Sequence, residues 1–493
     1  LISYSLRLRQ KLVDKFKRHM HSPEAIAVAS TLILGYKADL SNDVLQAYSK
    51  TGTIHVLSVS GAHVAILFLM LNFVLGFLNR FRYGKTIKAI LIILIIWYYS
   101  LLTGFSPAVC RAAVMISMII IGKTYSRYIN TLNILAISAF FLLLYDPFFI
   151  LDVGFQLSYL AVAGLVIFQP IVYKWMDIEN KWGDKLWAAC SISIAAQIIT
   201  FPLSAYYFHQ FPVYFLISNL FIIIPSEVIL ITGIAYLVLP DIPFISSALG
   251  WIVEKSILLM DKVLATIEYF PYSGISKIWI TTSEYILLYV IIICVFYFLY
   301  NRKKVLLLKI SFVCTLLLAI SVSLKRWGHS QTDNIAFLNL RKHAGIVFKK
   351  GNEAVVVTDL NDTDKTYRYS IQPYLDSCQV INVHKLTLDT NIRLPFFLKN
   401  NNLMQFQNKR LLLFDKKLEM TELSQKLKTD YLYISGNPDS YVDGINKNYN
   451  YSLLIIDNTN SNSLVASMER QATAQHINNY ILQRNKSLVV QSN

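Results

Sequence analysis

Charge is what this sequence lacks most. Asp, Glu, Lys and Arg make up 15% of its 493 residues, where a soluble domain carries about 25%. A chain so poor in charge and 55% hydrophobic has more apolar surface than a water-exposed fold can hide, so lipid is the solvent it calls for. Cysteine is scarce as well. The five present, at 110, 190, 294, 314 and 378, are scattered and form no CxxC pair. This excludes a disulfide framework or a cysteine zinc centre and leaves them as small core residues. No GxxxxGK[ST] stretch occurs, so the chain brings no phosphate-cradling loop of its own. Internal repeats are absent, and the only linker-like stretch is the polar run 325–334. Neither an initiator Met nor a signal peptide opens the sequence at Leu1, and a piece of a longer protein is expected.

What is present instead is a series of long apolar runs, at 86–102, 130–145, 154–173, 213–239, 281–300 and 305–324. Several approach the ~20 residues that cross a bilayer. Eight to ten membrane segments are expected between 53 and 324. Ahead of them, residues 1–20 set Leu6, Leu12, Val13, Phe16 and Met20 among six Lys/Arg, the pattern of a basic amphipathic helix on a membrane surface. A second helix is expected over 23–35. The domains expected are therefore 1–50, amphipathic helices; 51–326, a transmembrane region; and 330–493, a soluble tail with 19 Lys/Arg against 15 Asp/Glu. The fold class expected is an all-α polytopic membrane bundle with broken or re-entrant helices, followed by a small α/β domain. In that domain strands are expected at 335–340, 345–349, 354–358, 410–414, 431–434 and 452–456, and helices at 419–428 and 463–483.

Loop charge fixes an orientation. Arg80, Arg82, Lys85 and Lys88, then Lys123 and Arg127, then Lys174, Lys181 and Lys185, then Arg302, Lys303 and Lys304 form one set. The alternate loops, at 103–107, 146–153 and 205–212, hold no Lys or Arg. The positive-inside rule makes the first set cytoplasmic. Keeping Arg302–Lys304 in it requires 213–239 to fold back at Pro225-Ser226-Glu227, with 246–270 as an amphipathic helix on the outer surface. The tail then lies outside. The net charge of +16 suits anionic headgroups or a polyanionic partner.

Three stretches break the rule that lipid-facing helices are plain. Residues 51–63 (TGTIHVLSVSGAH) hold His55, Ser58, Ser60, Gly61 and His63. Residues 102–113 (LTGFSPAVCRAA) hold Gly104, Ser106, Pro107 and Arg111. Residues 146–158 (DPFFILDVGFQLS) hold Asp152, Gly154 and Gln156. Ser106-Pro107 signals a helix start, Ser as N-cap and Pro in the first position. The free N–H groups and positive dipole end there, with Arg111 one turn on, make an anion site at membrane depth. Asp152 is placed as the next N-cap and is a possible ion-pair partner for Arg111. Polar breaks at such depth are tolerated only in protein or along water. Tyr98, Tyr99, Tyr206, Tyr207 and Phe211 near helix ends fit an interfacial belt, with base stacking as the other use of such rings. Two other readings stay open: a membrane hydrolase with His55 or His63 as base and Ser58 or Ser60 as nucleophile, and a small-ion transporter using Arg111 and Asp152.

The runs TGTIHVLSVSGAHVAI (51–66), LLTGFSPAVCRAAVM (101–115) and DPFFILDVGFQLSYLAVAGL (146–165) resemble, in order and spacing, the motifs of the ComEC-type competence family, a likeness that extends over about 20–300. The resemblance implies a non-enzymatic channel that passes single-stranded DNA across a bacterial cytoplasmic membrane in natural transformation. It also implies a DNA receptor outside and an ATPase on the cytoplasmic face, with no cofactor in the channel. By motif match the channel residues are His55, Ser60, Gly61, His63, Gly104, Ser106, Pro107, Arg111, Asp152, Gly154 and Gln156. Family members usually carry an OB-like domain before the channel; this sequence opens on the amphipathic helix instead. Many end in a metallo-β-lactamase-like nuclease, and 335–360 resembles its opening strand pair. The metal-binding HxHxDH run is missing, and His343, His384 and His476 are isolated. A degenerate, metal-free remnant is expected there.

Overall fold

The computed structural model describes residues 2–124, 130–362, 364–419, 423 and 425–492. Arg127 and part of the helix expected at 419–428 lie outside them. The chain divides into two compact units, Leu1–Leu316 and Leu317–Asn493.

The first unit is a helical bundle. Its helices are α1 (Ile2–His19), α2 (Pro23–Leu34), α3 (Asn42–Lys50), α4 (Gly61–Val74), α5 (Gly84–Leu102), α6 (Pro107–Thr124), α7 (Thr131–Tyr145), α8 (Val153–Ile167), α9 (Gln169–Tyr173), α10 (Lys181–Phe208), α11 (Phe215–Val238), α12 (Pro243–Glu268) and α13 (Thr282–Tyr300). Helix α14 (Val305–Gln331) leads into the second unit. Among the described residues eight helices are long and apolar enough to cross a membrane, while α7 and α8 are shorter apolar helices. Breaks fall where polar or small residues interrupt the apolar runs: a 3-10 turn at Leu75–Arg80, another at Pro147–Leu151, and the step from α8 to α9 before Pro170.

Two expectations are corrected here. Helix α11 does not fold back: it runs unbroken through Pro225. The proline removes one ladder bond, but Ile222 on one side and Ile229 and Leu230 on the other are buried in the same core, and that packing holds the axis. At ~1.5 Å per residue the helix is roughly 36 Å long, enough for one crossing. Helix α12, expected on the outer surface, is instead long enough to cross and packs along α11. Replacing a hairpin and a surface helix by two crossings leaves the parity unchanged. Arg302–Lys304 therefore stays in the basic set by a different route. The short strands β1 (Gln210–Pro212) and β2 (Gly274–Ser276) pair antiparallel and tie the α10–α11 and α12–α13 loops together at one end.

The apolar face of α1 meets protein, not lipid alone. Val13 and Phe16 are fully buried in a core with α2, α3, α11 and α12, and Phe16 stacks on Tyr236. The reason lies on α12, where Glu254, Asp261 and Glu268 recur every seven residues and so share one face. Glu254 accepts from the backbone N–H of His21 and Ser22 (3.0 and 3.1 Å), Asp261 from the Tyr48 hydroxyl (2.6 Å), and Glu268 from Lys50 (3.0 Å). This acidic stripe fastens residues 1–50 to the bundle.

The second unit is a four-layer sandwich. One sheet has the order β14 (Leu488–Gln491), β3 (Asp333–Phe337), β4 (Gly345–Lys350), β5 (Glu353–Thr358), β6 (Asn382–Leu386). The other has the order β13 (Asn479–Ile481), β12 (Tyr449–Ile456), β11 (Leu427–Ile434), β10 (Lys409–Phe414), β9 (Leu403–Phe406), β8 (Phe397–Asn400), β7 (Ile392–Arg393). Strands β10 to β13 are parallel. Alternate residues such as Phe337, Phe348, Phe406 and Tyr433 fill the space between the sheets. Helix α15 (Gln372–Ser377) covers the first sheet, and α16 (Val442–Asn448) and α17 (Asn462–Ala474) cover the second. The helix expected at 419–428 is not formed by the described residues, since Leu427 and Lys428 already pair with Tyr449 and Asn450 in β11–β12. The helix expected at 463–483 stops at Ala474, and Asn479–Ile481 pair with β12 as an edge strand.

Two buried lysines end on backbone carbonyls. Lys349 on β4 donates to the carbonyls of His329 (2.7 Å) and Thr332 (2.9 Å), so it caps the C-terminal end of α14. Lys399 donates to Leu388 and Asn401 in the same way. Asp457, at the end of β12, accepts from the Thr459 N–H and the Asn460 amide (2.9 Å each), while its second oxygen is buried with no hydrogen-bond partner among the described residues. Burial pushes its carboxyl up to about 6. A folded-state value above the usual 3.8 means that the stability gained by protonation is complete below pH 3.8 and lost as pH rises through 6. Asp457→Asn is expected to stabilise this unit at pH 7.5, by up to about 3 kcal/mol, and to flatten its pH dependence between 4 and 6. Hydrogen exchange of β11 and β12 at two pH values measures this; no gain at pH 7.5 would contradict it.

Candidate functional site

Residues 51–63 form a turn and the start of α4. Helix α3 ends at Lys50, and His55 is exposed with Nδ1 3.2 Å from the Gly52 carbonyl, a local turn contact. Ser60 precedes the first residue of α4. The N–H of Ser60 donates to His63 Nδ1 at 2.8 Å, and its hydroxyl lies 3.0 Å from the same nitrogen. His63, buried at 5% exposure, therefore acts as an acceptor through Nδ1, in the manner of a capping box. That lone pair is already engaged by a backbone donor, which leaves Ser60 without a free base.

Gly61 opens α4 because something must pass it. A Cβ there would stand 2.8 Å from Arg111 Nη2, so any side chain at 61 would push the guanidinium aside. The arginine comes from α6, which starts at Pro107 as the Ser-Pro pair predicts. Gly104, with φ +85°, makes the turn before it in the left-handed region that favours glycine. The Ser106 cap differs from expectation: its hydroxyl is buried without a hydrogen-bond partner. Pro107 has no N–H to offer, and the Ser106 carbonyl instead accepts from Cys110 (3.0 Å).

Arg111 is 6% exposed. Its Nη1 donates to the Ser158 hydroxyl, its guanidinium lies 5.6 Å from the centre of the Tyr159 ring, and its Nε is buried with no hydrogen-bond partner among the described residues. The expected pairing with Asp152 is not formed. Asp152 instead caps α8, accepting from Phe155 N–H at 2.7 Å, and is exposed. Gln156 donates to the Ile150 carbonyl at 2.7 Å, and Gly154 is exposed in the first turn of α8. Asp152 and Gln156 thus shape the helix start that presents Ser158 and Tyr159 to Arg111. Among the described residues no carboxylate forms an ion pair with Arg111, so a permanently charged guanidinium is held between α4, α6 and α8 by a hydroxyl and a ring.

Ser158, Tyr159 and Arg9 were not among the expected residues. The first two stand in the run DVGFQLSYL, one turn beyond Phe155, where a helical projection from the Asp152 cap places them on one face. Arg9 had no local signal. Its Nε and Nη2 both donate to the Leu102 carbonyl (2.9 and 2.6 Å), and a Cβ on Gly104 would stand 3.1 Å from Nη2. Helix α1 therefore reaches the turn that launches α6. The aromatics divide: Tyr99 is buried with its hydroxyl on the Ile33 carbonyl (2.9 Å), whereas Tyr206, Tyr285 and Tyr289 pack in sequence between α10 and α13.

Among the described residues no group of three or more His, Cys, Asp or Glu is placed to hold a metal ion. In the sandwich unit His343 is paired with Asp359 at 2.8 Å. The described residues there form no cluster that fits a metallo-nuclease centre.

The profile of the family described as Competence protein matches residues 32–303, and that of the ComEC C-terminal domain matches 335–492. The chain is similar to ComE operon protein 3 of Bacillus subtilis (strain 168), 27% identical over 235 residues, which cover 48% of this chain and 28% of that protein. An uncharacterized protein of Aquifex aeolicus (strain VF5) is 28% identical over 199 residues, 40% of this chain and 44% of its own length. Recombination protein 2 of Haemophilus influenzae is 26% identical over 173 residues, 34% of this chain and 21% of its own length. The chain thus spans less than half the length of each of these relatives, and no solved structure matches it. The first match covers more than half of the chain and contains all three polar stretches, with Arg111 among them: the chain belongs to the ComEC-type competence protein family.

Proposed function

We propose that the helical unit is the bilayer-crossing passage through which single-stranded DNA enters the cytoplasm in natural transformation, with Arg111 as a station for its phosphates. The observation that carries this reading is the buried Arg111 guanidinium, which among the described residues has no carboxylate partner and one unpartnered N–H. A charge at membrane depth costs at least ~3 kcal/mol, and an anion passing through the protein supplies what is missing. Phosphates are contacted without regard to base, which suits a strand of any sequence. His55, Ser60, Gly61, His63, Gly104, Ser106, Pro107, Asp152, Gly154 and Gln156 act in this reading as shaping residues. They set the helix starts and keep Gly61 clear. The hydrolase reading is weakened because His63 Nδ1 already accepts from the Ser60 N–H, and the ion-pair transporter reading because Asp152 is engaged as a cap. Motive force comes from a cytoplasmic ATPase and strand delivery from a receptor outside, partners drawn from the family.

Orientation follows loop charge. With ten crossings, α4 to α8 and α10 to α14, the basic loops fall on the cytoplasmic side and the sandwich unit falls outside. The α11–α12 turn has no Lys or Arg of its own. Lys15 reaches the Leu239 carbonyl there (2.8 Å) and Arg18 pairs with Asp241 (3.3 Å), so α1 supplies the missing positive charge. Single cysteines replacing Tyr83, Ile178 and Ile242 in a cysteine-free background are expected to be protected from an impermeant reagent outside intact cells. Cysteines replacing Tyr272 and Asn352 are expected to react. Labelling at 242 from outside would restore the fold-back arrangement.

The sandwich unit acts without nuclease chemistry in this reading. The purified full chain is expected to bind no divalent metal stoichiometrically and to cleave no DNA. Chelator-sensitive cleavage that maps to residues in 335–492 would refute this.

Arg111→Ala is expected to reduce transformation by at least a hundredfold at normal membrane abundance, because the scaffold loses only one hydroxyl and one ring contact. Arg111→Lys keeps a point charge for phosphate without the fork and is expected to retain partial uptake. Ser158→Ala leaves the charge in place and is expected to change uptake less than tenfold. Normal transformation by Arg111→Ala removes this residue from the mechanism.

A further inference from the structure

Where α14 meets the sandwich there is a cavity of about 470 Å³, lined by Ser330, Gln331, Asp333, Lys350, Glu353 and Phe396 among others. Its position follows from the sequence of α14. The apolar run ends at Leu324, and Lys325, Arg326 and the exposed Trp327 follow, the residue types that mark a membrane interface. Ser330 lies six residues further, at ~1.5 Å each roughly 9 Å beyond the end of the apolar stretch, which is headgroup height. The cavity wall there is fixed, because Lys349 holds the carbonyls of His329 and Thr332.

The charges in the wall are opposite and apart. Lys350 and Glu353 are register partners across the β4–β5 turn, yet among the described residues they form no ion pair with each other. Lys350 lies over the Phe396 ring at 5.9 Å, and the carboxylate of Glu353 has no hydrogen-bond or ion-pair partner among the described residues. Asp333 is already engaged by the Gly351 N–H at 3.0 Å. A cation and a carboxylate both left open in one cavity match a ligand carrying both signs. A nucleic acid strand gains little there, because Glu353 and Asp333 offset what Lys350 offers its phosphates.

We propose that this cavity binds the phosphoethanolamine head of a membrane phospholipid, with the phosphate against Lys350 and the ammonium against Glu353. The lipid then pins the sandwich unit at the membrane surface. The proposal does not rest on DNA passage, only on α14 crossing a bilayer.

The test uses the full chain reconstituted in nanodiscs of equimolar phosphatidylethanolamine and phosphatidylglycerol, released into mild detergent and weighed by native mass spectrometry. One retained phosphatidylethanolamine is expected, displaced by free phosphoethanolamine but not by inorganic phosphate. Lys350→Gln and Glu353→Gln, both on a solvent-facing turn, are each expected to weaken retention about tenfold, as losing one charge-assisted contact does, with unchanged thermal unfolding. Retention unaffected by either substitution overturns the proposal. So does preferential retention of phosphatidylglycerol that survives Glu353→Gln, which would make this a plain anion site. Binding of free phosphoethanolamine with no lipid retained assigns the cavity to a soluble ligand and overturns the lipid source.

Discussion

A buried guanidinium without a carboxylate is the constraint around which the helical unit is organised. Arginine cannot shed its charge inside a protein, so Arg111 must be accommodated by geometry. Gly61 vacates the space a side chain would take, Ser158 supplies an acceptor, Tyr159 a ring face, and Nε is left open. Each of these neighbours begins or follows a helix start, so the three polar stretches are three solutions to one placement problem. The gap in the ion-pair pattern is informative because Asp152, the carboxylate the sequence offers as a partner, is engaged elsewhere. Asp152 stands two turns before Tyr159 on the same helix, yet its carboxylate is spent on its own backbone. A pair would have neutralised the site, whereas a cap keeps it cationic.

A second constraint runs along α12. Three carboxylates at heptad spacing fasten α1, α2 and α3 to a crossing helix, and α1 in turn places Arg9 under the turn at Leu102–Gly104 and Arg18 beside Asp241. The N-terminal region is thereby a strut between the turn that starts α6 and the turn that joins α11 to α12. Loss of Glu254 would leave the two part-buried backbone N–H groups of His21 and Ser22 without their acceptor, which is costlier than the bond itself.

What was legible in the sequence follows from the range of the forces involved. Helix starts at Pro107 and Val153 were readable because a cap is settled within four residues. The strands at 345–349 and 354–358 were readable from alternation and the Gly351 turn between them. Arg9 on Leu102 was not, since nothing local marks a contact across 93 positions. The break at Pro225 was misjudged for a related reason: proline signals a lost bond locally, but Ile222, Ile229 and Leu230 restore the axis through contacts made with α2 and α12. The short strands between 382 and 406 were hidden because edge and hairpin strands of two to five residues carry too little periodicity. The orientation expected from loop charge does not depend on that break, since it rests only on the parity of crossings.

The sandwich unit shows how a soluble fold can be fixed to a membrane helix without a large interface. A helix end carries unpaired carbonyls and a partial negative charge, and Lys349, rooted in the middle of β4, meets both with one ammonium. Because β4 lies between β3 and β5 in the sheet, that contact holds the last turn of α14 to the sheet. Neither a flexible linker nor the polar run 325–334 then separates the two, since that run is largely the last turns of α14 itself. What the sequence presents as a linker is thus the helical end of α14, which Lys349 caps.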